Sequence, residues 1–170
     1  SASMEKDAGL VFVTSTGSII WENDLSIFRL PPEGDPQYDV APRFHSGYFN
    51  SMTEHKNSLY ACGSDGIYKS TDDGLTWRKI FDGWAVSITS DSNSLIAGGA
   101  SGELWQSKNE GIAWSLKNQK LIDLGYDLFV FDIAVRDNII LYTPMLQATM
   151  ISTNGGVSWD SLDVITSFLW

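Results

Sequence analysis

Ser70-Thr71-Asp72-Asp73-Gly74-Leu75-Thr76-Trp77 is the first of three copies of one short pattern in the chain. The second copy is Ser107-Lys108-Asn109-Glu110-Gly111-Ile112-Ala113-Trp114, and the third is Ser152-Thr153-Asn154-Gly155-Gly156-Val157-Ser158-Trp159. The copies share a serine, an Asp or Asn, a glycine and a tryptophan at fixed offsets. The short polar side chain can bond to the amides of a turn, glycine supplies a positive φ, and tryptophan is an apolar anchor. We call these segments the first, second and third Ser–Trp turns, and they predict a repeat architecture built from hairpins.

The composition predicts one folded domain over residues 1–170. The chain is 43% hydrophobic and 12% aromatic, which is typical of a protein that buries a core. Residues 1–8, which begin Ser1-Ala2-Ser3-Met4, are predicted to be a tag or a flexible N-terminus.

Charge and cysteine content argue against several classes of ligand. The formal net charge is −10, with 11 Lys and Arg against 21 Asp and Glu, so the clustered cations that bind nucleic acid or anionic lipid are not expected. No apolar run approaches the ~20 residues of a membrane span. Cys62 is the single cysteine, so we predict neither an internal disulfide nor a cysteine-based metal site, and no cofactor.

The three turns resemble the Asp-box family, also called BNR repeats, whose pattern is S-x-D-x-G-x-T-W. Proteins of this family are β-propellers and include sialidases, certain endoglucanases, sortilin-type receptors and photosystem II assembly factors. The resemblance implies one turn per blade, between the third and fourth strands. Only the first turn is complete, since Asn109 and Asn154 replace the aspartate, and asparagine keeps the acceptor oxygen.

Alignment on the turns divides the chain into blades. Short β-branched and aromatic runs alternate with Gly, Asn, Asp and Ser, which favours an all-β chain. Three complete blades of four strands are predicted, over 48–53, 59–62, 66–70 and 77–80; over 84–89, 95–98, 103–107 and 114–116; and over 128–135, 139–143, 148–152 and 158–162.

The two ends of the chain predict a fourth, composite blade. Residues 10–14, 18–21 and 25–30 suit second, third and fourth strands, and 164–170 suits the missing first strand. Pairing of the terminal strands would remove the exposed edges of an open propeller. Two alternatives remain: an open half-propeller that dimerises into a larger ring, and a fragment of a longer propeller. The expected state is therefore a monomer or a homodimer.

Long loops and one inner strand supply the candidate binding residues. The segments 31–47 and 117–127 connect predicted blades and are much longer than the connection 81–83, and long loops on a rigid scaffold often carry binding functions. Asp132 lies in the apolar run 128–135, where a carboxylate must face water, a partner or a metal. In an alignment of the predicted inner strands, Asp132 is equivalent to Asn50. The predicted binding residues are Tyr38, Arg43, His45, Asn50, Tyr126, Asp127 and Asp132.

A structural role is predicted for the residues that define the Ser–Trp turns, because a repeated hairpin turn is rarely a catalytic site. These residues are Ser70, Asp72, Gly74, Trp77, Ser107, Asn109, Gly111, Trp114, Ser152, Asn154, Gly156 and Trp159.

The residue inventory favours an interaction module over an enzyme. A sialidase-type site, as the resemblance would imply it, needs three arginines around a carboxylate, and of the four arginines in this chain only Arg43 is well placed. We therefore predict a non-catalytic protein-interaction or scaffold module, with a protein as the partner. The alternative is a glycan-binding domain or a glycoside hydrolase of sialidase-like type, which would use Tyr38, Arg43, Tyr126 and Asp132. The family resemblance favours a secreted or extracytoplasmic location.

Overall fold

The computed structural model describes residues 10–23, 26–38, 49–123, 125 and 129–162. Strands account for nearly all regular structure in this part of the chain, and none of its helices is long and apolar enough to cross a membrane. The elements are β1 (Val11–Val13), β2 (Ile19–Asn23), β3 (Ser26–Leu30), β4 (Gln37–Tyr38), β5 (Phe49–His55), β6 (Ser58–Gly63), β7 (Gly66–Ser70), β8 (Arg78–Asp82), β9 (Ala85–Ser90), β10 (Leu95–Gly99), β11 (Leu104–Ser107), β12 (Ser115–Leu116), α1 (Gln119–Asp123), β13 (Val130–Arg136), β14 (Ile139–Pro144), β15 (Thr149–Ser152) and β16 (Asp160–Leu162).

The strands form four antiparallel sheets of four strands each, in chain order. The first sheet is β1–β4, the second β5–β8, the third β9–β12 and the fourth β13–β16. The second, third and fourth sheets confirm the three complete blades predicted from the Ser–Trp turns, and each turn joins the third strand of its sheet to the fourth.

The chain divides into two compact units, with the boundary between Ala85 and Val86. The core of the first unit comprises Ile20, Phe49, Met52, Leu59, Ala61, Tyr68 and Trp77. The core of the second unit comprises Ile96, Leu104, Leu121, Val130, Ile133, Ile140, Tyr142 and Met150. Strands supply most of both cores, with Trp77 added from the first Ser–Trp turn and Leu121 from α1. Strands β6 and β10 are buried at every position, so these sheets are covered on both faces there.

The first sheet differs from the prediction in its last strand. The segments 10–14, 18–21 and 25–30, which were predicted as second, third and fourth strands, are instead the first three strands β1, β2 and β3. The segment predicted as a loop over 31–47 supplies the fourth strand, β4. Arg29 pairs with Gln37 across β3 and β4, and the Arg29 Nη1 donates to Gln37 Oε1 at 3.0 Å. A strand of two residues is too short to show any periodicity, which is why the pattern missed it. Residues 11–38 thus form a four-stranded sheet by themselves. The strand predicted over 164–170 lies outside the described residues, so its pairing with this sheet stays a prediction.

A short helix also replaces part of a predicted loop. Helix α1 lies within the segment 117–127, directly after Asn118, and the amides of Leu121 and Ile122 donate to Asn118 O. The Asn118 side chain accepts from Leu104 N at 2.9 Å and donates to Gly102 O at 2.7 Å. This buried asparagine therefore fixes the start of the helix against the third sheet.

Asp73, in the first Ser–Trp turn, links the second sheet to the first through Arg29. The Arg29 Nη2 lies 2.5 Å from Asp73 Oδ2, and the Arg29 Nε donates to Asp73 O at 2.7 Å. Ser18 Oγ donates to the same carboxylate oxygen at 2.5 Å. Arg29 is only 8% exposed, so its charge is buried, and it is paired with the half-buried carboxylate of Asp73.

Candidate functional site

Each of the last three sheets has two ends of different character. The Ser–Trp turn lies at one end, which we call the Ser–Trp end. Because neighbouring strands are antiparallel, the turn between the second and third strands lies at the opposite end, which we call the loop end. The first residues of β5 and β13 also lie at the loop end, since Phe49 pairs with Gly63 and Val130 pairs with Pro144.

The first Ser–Trp turn satisfies its own polar groups. Ser70 Oγ accepts from Gly74 N at 2.9 Å and donates to Asp72 Oδ1 at 2.8 Å. Asp72 Oδ1 in turn accepts from Thr76 N at 2.8 Å, and Trp77 Nε1 donates to Gly74 O at 3.0 Å. Burial alone would raise the pKa of Asp72, but the hydrogen bonds from Thr76 and Ser70 outweigh it and hold the pKa below the usual 3.8.

Asparagine makes the same bond in the other two turns. Asn109 Oδ1 accepts from Ala113 N at 2.8 Å, and Asn154 Oδ1 accepts from Ser158 N at 2.9 Å. The serine again accepts from the glycine amide, at 2.9 Å in the second turn and 2.8 Å in the third. Since these acceptors are engaged within their own turns, the geometry supports the structural role predicted for them.

Each turn contains two consecutive left-handed residues rather than the single one expected. The φ angles are +59° and +87° at Asp73 and Gly74, and +59° and +84° at Glu110 and Gly111. The third turn uses a second glycine, with +69° at Gly155 and +85° at Gly156. This reversal brings the tryptophan back over the turn, where Trp77 lies 5.4 Å from Phe49 between ring centroids.

The structure describes only part of the predicted binding set. Arg43, His45, Tyr126 and Asp127 lie outside the described residues. The backbone of Tyr38 belongs to β4, where it pairs with Phe28.

The two remaining predicted residues lie in different units. Asn50 is exposed on β5, and its Nδ2 donates to Ala85 O at 3.1 Å, so it fixes the first residue of β9. Asp132 is exposed on β13, and its Oδ1 accepts from the neighbouring Ile133 N at 2.9 Å.

The predicted equivalence of Asn50 and Asp132 is wrong by one residue. A β-bulge lies between Phe49 and Ser51 on β5, and another lies between Val130 and Asp132 on β13. Asn50 therefore corresponds to Phe131, because each is the extra residue of its bulge. A bulge changes the direction of a side chain without leaving a clear periodicity in the sequence, so the alignment could not find it.

A charged cluster at the loop end of the second sheet was not predicted. Tyr68 OH donates to Asp65 Oδ2 at 2.8 Å, and Lys79 Nζ donates to Asp65 O at 2.8 Å. The same ammonium lies 3.4 Å from carboxylate oxygens of both Asp65 and Asp82, and 5.6 Å from the centre of the Tyr68 ring. A signal existed in the sequence, because Asp65 lies in the tight turn Ser64-Asp65-Gly66, but only the β7–β8 pairing places Lys79 beside it.

The protonation of this cluster suits binding better than nucleophilic chemistry. Burial, followed by the hydrogen bond to Asp65, raises the pKa of Tyr68 to about 12. Desolvation opposes the charge of Lys79, but the neighbouring Asp65 and Tyr68 raise its pKa above 10.5. Tyr68 thus stays a neutral donor and Lys79 a cation at physiological pH.

The single thiol of the chain is equally unreactive. Cys62 is fully buried in β6, and burial raises its pKa to about 12. A thiol rather than a thiolate is a weak nucleophile and a weak metal ligand. Within the described residues, no group of three or more His, Cys, Asp and Glu side chains could hold a metal ion.

Three large apolar side chains at loop ends are more than half exposed. Trp84, in the connection from β8 to β9, is 51% exposed, and Phe131 on its bulge is 60% exposed. Leu146, in the β14–β15 turn, is 89% exposed and has a φ of +59°. The backbone amide of Met145 donates to Phe129 O at 2.8 Å, which holds this turn against the start of β13. We call Trp84, Phe131 and Leu146 the loop-end apolar residues.

Comparisons with solved structures identify the fold. The WD40 β-propeller domain of Doa1 matches 93% of this chain and 55% of its own, at 15% identity and a TM-score of 0.64. YCF48 bound to D1 peptide matches 95% of this chain and 54% of its own, at 15% identity and a TM-score of 0.61. An ancestral GH74 enzyme matches 92% of this chain and 24% of its own, at 14% identity and a TM-score of 0.66.

The chain therefore spans about half the length of the Doa1 and YCF48 chains, and about a quarter of the GH74 chain. No protein-family model matches the sequence, and no curated protein does so. At this level of identity the similarity establishes the fold alone, and that fold is a β-propeller.

Proposed function

We propose that this chain is a non-catalytic protein-interaction or scaffold module of the Asp-box, or BNR-repeat, type, which binds its partner at the loop ends. The observation that carries the proposal is the exposure of two aromatic side chains, Trp84 and Phe131, at those ends, together with that of Leu146 in the β14–β15 turn. The Ser–Trp turns expose Ile112 and Val157, but their tryptophans are buried or half-buried. The Ser–Trp turns, by contrast, use their polar groups internally. A rigid scaffold that presents apolar side chains on its connections is suited to binding.

The chemistry of the loop ends supports a protein as the partner. Aromatic residues are enriched in the cores of protein–protein interfaces, and Trp84 and Phe131 would supply such anchors. Asp65 and Lys79 add a charged pair at the loop end of the second sheet. The net charge of −10 favours a partner with a basic surface, because complementary charge speeds encounter.

Two of the similar structures fit this proposal. YCF48 was solved with a bound peptide, and the Doa1 domain is a WD40 propeller. The protonated states of Tyr68 and Cys62 also favour a binding role, since neither side chain is prepared as a nucleophile.

A peptide selection tests the proposal. Peptides selected on the wild-type chain from a library rich in basic residues should lose about ten-fold or more in affinity for Trp84→Ala, in the first unit, or for Phe131→Ala and Leu146→Asn, in the second. The matched controls are Ile112→Ala and Val157→Ala, which replace apolar residues of the Ser–Trp turns that are 84% and 72% exposed. Equal losses in the controls, or full affinity in all three loop-end variants, would contradict the proposal.

The second candidate function is glycan binding or glycoside hydrolysis. It is favoured by the similarity to GH74 enzymes, and it would use Tyr38, Arg43, Tyr126 and Asp132. A glycan array and fluorogenic glycosides test it directly. Turnover that is abolished in the Asp132→Asn variant would establish the enzyme and reject the non-catalytic module.

A further inference from the structure

We propose that Asn154 is a site of deamidation that the folded third Ser–Trp turn keeps unreactive, so that its amide is lost when this turn opens. Asn154 is the one asparagine of the sequence that is followed by glycine. Asparagine is a chemically labile residue, and a following glycine leaves its side chain open to attack by the backbone, because glycine has no Cβ. The site lies at the Ser–Trp end of the fourth sheet, so it is separate from the proposed partner site.

The reaction joins the backbone nitrogen of Gly155 to the side-chain carbon of Asn154. The nitrogen first loses its proton to water and then attacks Cγ. The bond between Cγ and Nδ2 breaks, and Nδ2 takes up a proton from water and leaves as ammonia. Water then adds to the resulting cyclic imide and opens it to aspartate or isoaspartate. Overall, one water is consumed and one ammonia is released.

The folded turn holds the side-chain amide at both of its polar atoms. Asn154 Oδ1 accepts from Val157 N at 3.1 Å and from Ser158 N at 2.9 Å. Asn154 Nδ2 donates to Ser158 Oγ at 2.8 Å. Rotation of the amide to present Cγ to another nucleophile would break these three hydrogen bonds. The carbon that must be attacked is therefore fixed in the folded turn.

The attacking nitrogen is engaged as well. Gly155 N donates at 2.8 Å to the carbonyl oxygen of Asn138, which lies in the turn between β13 and β14. This hydrogen bond holds the proton that must be lost before the attack. Deamidation therefore requires the third turn to separate from the β13–β14 turn, in a local opening of the kind that folded proteins undergo.

The first turn shows which contacts the aspartate product would find. Asp72 Oδ1 accepts from Thr76 N at 2.8 Å, and Asp72 Oδ2 accepts from Thr76 Oγ1 at 2.6 Å. Ser158 supplies the equivalent amide and hydroxyl in the third turn, whereas the second turn has Ala113 at that position. Aspartate at position 154 would therefore find both donors, and the turn would close again. Isoaspartate adds a CH₂ group to the main chain, which changes the spacing of the turn and prevents these bonds.

The test follows the loss of this amide in the folded and the unfolded chain. The wild-type chain and two variants are incubated in mildly alkaline buffer, with and without enough urea to unfold them. Mass spectrometry of proteolytic peptides then measures asparagine, aspartate and isoaspartate at each position. Gly155→Glu and Ser158→Ala copy the second turn, where Glu110 has a φ of +59° and Ala113 replaces the hydroxyl residue, so both variants should fold. Asn109, which precedes Glu110, is the control within each sample.

In urea, the wild-type chain should lose the amide of Asn154 at least about ten-fold faster than in buffer, and isoaspartate should appear there. Ser158→Ala should react about two- to ten-fold faster than the wild-type chain in buffer, because one hydrogen bond is lost, and at the same rate in urea. In urea, Asn109 and the asparagine of Gly155→Glu should react far more slowly than Asn154 of the wild-type chain. An Asn154 that stays intact in urea, equal rates in buffer and urea, or a rate in buffer that does not rise in Ser158→Ala, would overturn the proposal.

The Asn154→Asp variant tests the fate of the aspartate product. Its midpoint of urea unfolding should equal that of the wild-type chain or exceed it, because Ser158 offers the donors that Asp72 uses in the first turn. A midpoint well below the wild-type value would overturn the claim that the turn closes again around aspartate.

Discussion

Arg29 and Asp73 form the ion pair that joins the first two sheets. Its contribution to the free energy of unfolding depends on both charges being present. Asp73→Asn keeps the shape of the side chain and tolerates the left-handed backbone, but it leaves the charge of Arg29 buried without a counter-charge. We expect a loss of about 3 kcal/mol in the free energy of unfolding, measured by urea denaturation.

Two further variants isolate the charge effect. Asp82→Asn removes a carboxylate whose side chain is 93% exposed, and it should change stability by less than about 0.5 kcal/mol. Arg29→Met together with Asp73→Asn removes both charges and should be less destabilised than Asp73→Asn alone. If the double variant is less stable than Asp73→Asn, Arg29 stabilises the fold by packing rather than by its charge.

The Asp73 carboxylate also makes the free energy of unfolding depend on pH. Burial alone would raise the pKa of Asp73, but hydrogen bonds from Ser18, Arg29 and Thr16 hold it below 3.8. A folded-state pKa that lies below the unfolded one contributes stability that is fully present above the unfolded value and is lost as the pH falls through the folded value. Urea denaturation from about pH 5 to about pH 2 should therefore show a smaller loss for Asp73→Asn than for the wild-type chain. Parallel curves for the two proteins would contradict this assignment.

At the scale of the element, each Ser–Trp turn is expected to stabilise its hairpin through the tryptophan and the glycine rather than through the negative charge. Trp77→Ala removes a large buried aromatic side chain and should cost about 3–5 kcal/mol. Gly74→Val should also be harmful, because φ is +87° and a Cβ atom there would lie 2.5 Å from Ile20 Cδ1.

Asp72→Asn is the informative control for that prediction. It should cost less than about 1 kcal/mol, because Asn109 and Asn154 make the equivalent hydrogen bond. All three variants are compared by thermal and urea unfolding. A loss for Asp72→Asn as large as that for Trp77→Ala would show that the charge itself holds the turn.

The elements also show how far the sequence predicts the structure. A hairpin turn carries its determinants locally, so Ser70, Gly74 and Trp77 and their counterparts were enough to predict three sheets. The bulges at Asn50 and Phe131 and the two-residue strand β4 depend on pairing with a neighbouring strand, which leaves no periodic signal. The Arg29–Asp73 pair and the Asp65–Lys79 cluster join residues 44 and 14 positions apart, and only the folded sheets bring them together.

For the whole molecule, closure through residues 164–170 remains a prediction, since the N-terminal sheet already has four strands without them. If residues 164–170 pair with the N-terminal sheet, their deletion removes a strand and opens two edges, so the melting temperature should fall by well over a few degrees. The measurement is thermal unfolding of the full and shortened chains. Light scattering after size exclusion, at two concentrations, then separates a closed monomer from a ring of two copies. Melting temperatures within a few degrees of each other would reject the closure.

If the loop ends bind the partner while the Ser–Trp turns support them, an NMR titration of the isotope-labelled chain with a selected peptide will show which residues the peptide contacts. The amide of Trp84 in the first unit, or those of Phe131 and Leu146 in the second, should shift and saturate, whereas those of Asp72, Asn109 and Asn154 stay in place. Saturable shifts centred on the three Ser–Trp turns, with the loop-end amides unchanged, would contradict the proposed function.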